Sequence, residues 1–89
     1  MKKTAIIESI YYDLGNGIAI SLKGWNYTQF IKPEELHRGG QNGEINTLVV
    51  GGKISFDYDT VNSVRNLKNV TIISDGIREV DENGKLIKW

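Results

Sequence analysis

Residues 33–40, PEELHRGG, set the fold class of this chain. They carry helix signals inside a sequence that otherwise reads as strands and turns. Pro33 suits the first helical position, where its fixed φ is helical and its missing N–H has no bond to lose. Glu34 and Glu35 suit the positive end of a helix dipole, and Gly39 suits the residue just past a helix end. The spacing predicts a short helix over about 33–38. A second is predicted over 60–67. In DTVNSVRNL (59–67), Val61, Val64 and Leu67 recur every three residues, with Asp59 or Thr60 as N-cap.

On either side the pattern is that of strands. TAIIESIYYDL (4–14) is rich in β-branched and aromatic residues. The GNG at 15–17 is a tight-turn signal, and IAISLKG (18–24) then alternates, with Ile18, Ile20 and Leu22 on one face. WNYTQFI (25–31) reads as a third strand or an extended link. INTLVVGGKISFDY (45–58) reads as a second hairpin about Gly51-Gly52, with Ile54, Phe56 and Tyr58 sharing a face. NVTIIS, IREVD and KLIKW follow as strands separated by DG and ENG turns. The chain is therefore expected to be one α+β domain spanning 1–89. Its core element would be a small, mainly antiparallel β-sheet or partly open β-barrel, carrying the two short helices.

Composition narrows the function classes. Lys and Arg number 11, Asp and Glu number 11, and each half of the chain is balanced. Non-specific DNA binding needs clustered cations, so nucleic acid is disfavoured. There is no Cys, which removes disulfides, thiolate nucleophiles and thiolate metal sites. In MKKTAIIESI, Glu8 ends the apolar run too early for a signal peptide, and no stretch is long enough to span a membrane. The expected location is the cytoplasm. The 28 residues of Lys, Asn and Ile (8, 8 and 12) have AT-rich codons, and this hints at a low-GC bacterium or its phage.

No motif points to catalysis. VVGGK (49–53) lacks the leading Gly and following Ser or Thr of a phosphate loop. FDYDT (56–60) lacks the further Asp or Asn and the Gly of a calcium loop. His37 is the only histidine, so a multi-histidine metal site is ruled out, and no nucleophile motif accompanies any serine. The expectation is a non-enzyme with no cofactor and no metal.

The densest cluster of interface-prone residues lies in GWNYTQFIKPEELHRGGQNGE (24–44). If extended, the segment puts Trp25, Tyr27 and Ile31 on one face and Phe30 on the other. Trp and Tyr combine large apolar area with a polar handle. His37, Arg38, Gln41 and Asn42 add donors, and Gly39, Gly40 and Gly43 leave backbone N–H groups open. The structural alternative is that Trp25, Tyr27 and Phe30 close one end of the core while Gly39-Gly40 stops a helix.

The first functional reading is a small binding protein that inhibits or sequesters a host protein, as a phage or mobile-element accessory would. Trp25, Tyr27 and Phe30 would anchor it. The second is a module for a nucleotide-like small molecule, with the aromatics stacking on a base and Arg38 and Lys53 meeting phosphate. The third is a structural subunit of a larger assembly. Adjacent apolar pairs such as Tyr11-Tyr12 and Ile72-Ile73 place hydrophobes on both sheet faces, which favours a homo-oligomer or partner.

Overall fold

The computed structural model describes residues 2–13, 17–58, 66–81 and 83–88. Among them the chain forms eight strands: β1 Lys2–Asp13, β2 Gly17–Leu22, β3 Thr28–Ile31, β4 Leu36–His37, β5 Lys53–Asp57, β6 Lys68–Ser74, β7 Glu79–Val80 and β8 Leu86–Lys88. They build one open sheet in the order β3-β2-β1-β5-β6-β7-β8, with β4 added beside β6. Every pairing between these strands is antiparallel except β4 with β6.

β1 organises the sheet. Its first half, Lys2 to Ile6, pairs with β5, and its second half, Ile7 to Asp13, pairs with β2. The register shifts between Ile7 and Ser9, which marks a bulge at Glu8. A bulge bends its strand and adds twist. The two halves of the sheet therefore wrap around one core instead of lying flat. Ile7, Ile20, Leu22, Ile31, Ile54 and Phe56 are buried there, with Val70, Ile72 and Val80 from the other end of the sheet. The curl brings β3 back to the chain entering β6. Phe30 bridges Asn66, and the Leu67 N–H donates to the Phe30 carbonyl at 2.9 Å.

The expected α+β architecture is overturned. Within 33–38 only Pro33–Glu35 turn, as a single 3₁₀ turn, and Leu36 is already extended at φ −96, ψ 124. The chain then becomes β4, with Leu36 beside Val70 and His37 beside Thr71. A helix of a turn or two is marginal in water. Extension instead lets the segment bond to the edge of β6 and packs Leu36 against the core. Gly39 is not a helix stop either. It is buried and exchanges backbone hydrogen bonds with Ile45 at 2.8 and 3.1 Å. Of the second expected helix, residues 60–65 and the proposed caps lie outside the described residues. Asn66 and Leu67, its last residues, belong to the extended bridge with Phe30.

The β1–β2 hairpin and its alternation appear as read, although residues 14–16 of its turn lie outside the described residues. The second hairpin does not. Gly51 and Gly52 dock on β1 instead, where Gly51 N–H donates to Ile7 O at 2.8 Å and Ile7 N–H to Gly52 O at 2.9 Å. A Cβ on Gly52 would lie 2.6 Å from the Ser74 carbonyl oxygen, so this close approach requires glycine. The strand expected over IREVD shortens to Glu79–Val80, and KLIKW to Leu86–Lys88, with residue 89 and Glu82 of the ENG turn outside the described residues.

The turn between β6 and β7 is locked by Asp75. Its Oδ1 accepts the backbone N–H of Arg78 at 2.7 Å and of Ile77 at 3.0 Å. Its Oδ2 accepts from the Arg78 guanidinium at 3.1 Å, and that same Nη2 donates to the Glu44 carbonyl at 2.9 Å. The Arg78 and Ile77 amides hold the Asp75 carboxyl below its ordinary 3.8, against a smaller opposing effect of burial. A depressed carboxylate pKa contributes stability above the unfolded value and loses it as pH falls through the folded value. Asp75→Asn should therefore lower the thermal midpoint at pH 7. The gap to the parent should narrow as pH drops below about 3.8, which thermal melts across pH 2–7 will check.

Candidate functional site

The outer face of β1, β5 and β6 carries a polar row set by register. Thr4 sits opposite Ser55, and Ser55 sits opposite Thr71. Directly opposed residues project from the same face, so three hydroxyl side chains line up across three strands. Neighbouring strands lie about 4.8 Å apart, which makes the row roughly 10 Å long. Lys2 and Lys53 stand two residues along from Thr4 and Ser55 on the same face, roughly 7 Å away at the backbone.

Two walls turn this face into a groove of about 690 Å³. One wall is the loop Arg38–Gly40, and the other is the β7–β8 hairpin, with Glu79, Asp81 and Ile87 facing inward. The walls meet at the hairpin turn. Gly84, at φ 80, sits against the Gly40–Gln41 backbone, where a Cβ would make ordinary contact 3.5 Å from the Gln41 nitrogen. Ile73 adds an apolar patch to the floor.

The loop wall is held from several sides. Gly39 bridges Ile45, the Asn42 N–H donates to Glu44 Oε1 at 3.1 Å, and Arg78 grips the Glu44 carbonyl. The Arg38 stem lies across Gly43, where a Cβ would come within 3.2 Å of its Cδ. This leaves the exposed Arg38 in the groove lining on a fixed base.

The charges in the groove are not equally available. Glu79 is spent on Lys53, with Nζ to Oε2 at 3.2 Å. Asp81 turns its Oδ1 to the hairpin backbone, accepting from the Asn83 and Lys85 N–H groups, both at 2.9 Å. Among the described residues, no hydrogen bond or ion pair engages Arg38 or Lys2, nor the hydroxyls of Thr4, Ser55 and Thr71. The site therefore offers unpaired cations and hydroxyls, while Glu79 is paired with Lys53 and Asp81 is bound through Oδ1 to the hairpin backbone.

The residues singled out in 24–44 do not form one site. Trp25 is half-buried, edge-on to Phe56 at 5.6 Å and Tyr58 at 5.7 Å between centroids. Lys3 Nζ stands 4.1 Å above the Tyr58 ring and 5.8 Å from Trp25. Trp25 thus packs against the core near β1, and it borders a recess of about 340 Å³ with Ile6, Lys23 and Lys53. A turn after Leu22 breaks the extended face expected for Trp25, Tyr27 and Ile31. Tyr27 is exposed, while Ile31 is fully buried. Phe30 lies on the opposite side of β3 from Ile31, beside Ala19. His37 is exposed next to Thr71 outside the groove lining, and Gln41 and Asn42 are exposed beyond the wall. Of the seven, Arg38 alone lines the groove.

Reading the sequence missed Lys2, Thr4, Ser55, Thr71 and Ile87. Alternation places Thr4 and Ser55 on outward faces, but nothing local aligns them. Lys53 reads in the sequence as part of a hairpin turn or as a phosphate contact. It lines both concavities.

Among the described residues no group of three or more His, Cys, Asp or Glu could hold a metal ion, and no helix is long and apolar enough to cross a membrane. Comparison with family models, curated proteins and solved structures finds no match to this chain, so the groove's own geometry is the basis for a functional reading.

Proposed function

We propose that this domain is a non-enzymatic binding module that holds a partner protein in the groove on the outer face of β1, β5 and β6, and acts by occluding or sequestering it. One observation carries the reading. Strands remote in sequence place Thr4, Ser55 and Thr71 in a row, between unpaired Lys2 and Arg38, on the floor of a groove of about 690 Å³. The groove's carboxylates are engaged by Lys53 and by the hairpin backbone, which favours holding over proton transfer.

A macromolecular partner fits better than a nucleotide-like molecule. Small-molecule sites are mostly apolar and enclose their ligand. This groove is a surface concavity of mixed polar and apolar lining, and among its described lining residues none is aromatic, so a base has no ring to stack on. A standard interface needs about 800 Å² per partner. The chain exposes 5869 Å², so one face suffices.

The test is to fill the floor. Ser55→Trp places a ring where the row runs, on a half-exposed position that leaves the buried core intact. Capture of a host partner by the purified domain should be lost in Ser55→Trp, with retained circular dichroism and melting temperature. Tyr11→Ala and Tyr27→Ala, which are 63% and 62% exposed away from the groove, should capture as the parent does. If Ser55→Trp captures normally, or the tyrosine variants fail instead, the groove is not the working surface.

A further inference from the structure

The structure assigns the groove to an acidic, extended peptide segment of the partner; this rests on the binding-module reading above. Charge complementarity is the first argument. Arg38 and Lys2 stand on opposite sides of the hydroxyl row and are unpaired among the described residues. Lys53 stands between them and is held by Glu79, which an incoming carboxylate can replace at little loss because the pair is part-exposed, at 35% and 21%. A carboxylate above Ser55 lies within reach of the Lys2 and Lys53 side chains and accepts hydrogen bonds from the row.

Shape is the second argument. The groove is walled by the Arg38–Gly40 loop and the β7–β8 hairpin, which meet at Gly84, and its floor runs across β6, β5 and β1, so an extended segment can lie along that floor. Alternate side chains of an extended peptide point to opposite sides. Those pointing down meet hydroxyls and cations over β1 and β5, then the apolar patch of Ile73 and Ile87. A segment mixing Glu or Asp with Leu or Ile matches that order. The sugar-phosphate backbone of a nucleic acid repeats charge at every step, without the alternating apolar side chains that the two isoleucines would meet.

The deciding experiment is an amide NMR titration of the full chain with three ten-residue peptides of alternating pattern, Glu/Leu, Gln/Leu and Lys/Leu. Inorganic phosphate and a ten-base oligothymidine run in parallel. The Glu/Leu peptide should move the Ser55, Thr71 and Gly40 amides at low salt, with the effect largely lost at 0.5 M salt. Arg38→Glu and, separately, Lys2→Glu should each weaken it about tenfold. The same spectra report whether each variant is folded. If the Gln or Lys peptide moves those amides equally, acidity is wrong while the binding-module reading stands. If phosphate or the oligonucleotide moves them at lower concentration than the Glu/Leu peptide, the ligand is a phosphate and the proposal falls. If no peptide moves them at millimolar concentration, it falls outright, and Ser55→Trp then decides the broader reading by itself.

Discussion

Gly39→Ala should strongly destabilise the fold. A Cβ at this position would lie 1.7 Å from the Ile72 carbonyl oxygen and 2.9 Å from its carbon, both backbone atoms of strand β6. No rotamer change relieves a clash with backbone, so either the 38–45 loop or β6 must move. Ordinary overpacking costs roughly 1–3 kcal/mol. This contact is far tighter, and relieving it breaks the paired bonds between Gly39 and Ile45 and displaces the groove wall. A domain of this size holds roughly 5–10 kcal/mol in all. We expect at least about 3 kcal/mol of that to be lost. Gly51→Ala is the control. Its φ of 90 makes alanine strained, but nothing lies within 4 Å of the added Cβ, so about 1 kcal/mol is expected. Urea unfolding of both variants checks the ranking, and equal losses would mean that conformational freedom, not close approach, is what Gly39 supplies.

Phe56→Ala should be comparably damaging for a different reason. Phe56 is fully buried on β5, near the middle of the sheet order, and takes the edge of Trp25 at 5.6 Å. Removing a buried Phe costs roughly 3–5 kcal/mol in transfer and cavity terms. The lost aromatic pair adds roughly 0.5–1.5 kcal/mol. The effect should spread to Trp25, which would lose its support and with it the register of Tyr58 beneath Lys3. Denaturant unfolding should show a much lower midpoint, and the near-ultraviolet circular dichroism of the remaining fold should weaken. Phe56→Leu, which keeps most of the volume, should recover a large part of the loss. If Phe56→Ala unfolds near the parent's midpoint, the core is not centred where burial places it.

Much of the strand content was legible because its signal is local. Ile18, Ile20 and Leu22 alternate with Ala19, Ser21 and Lys23, and a period of two describes a strand wherever its partners lie. The error at PEELHRGG came from the same locality. Pro33, Glu34 and Glu35 do favour a helical start, and they form one turn. Propensity then yields to a free edge of β6 and a place for Leu36 beside Val70. Gly39 reads in the sequence as a helix stop, and no helix ends there. It answers a close approach to Ile72, not a positive φ.

The candidate site was legible only through Arg38. Aromatic density drew attention to Trp25, yet that ring supports the core. Strand alternation, balanced charge and the absence of thiol chemistry depend only on residue identity and near neighbours, so they are readable along the chain. Which hydroxyls stand side by side was decided only by tertiary structure. Thr4 and Thr71 lie toward opposite ends of the chain, with Ser55 between them, and they align through the pairing of β1 with β5 and β5 with β6. A shift of one residue in either register would turn those side chains to the opposite face, and no local pattern encodes that choice.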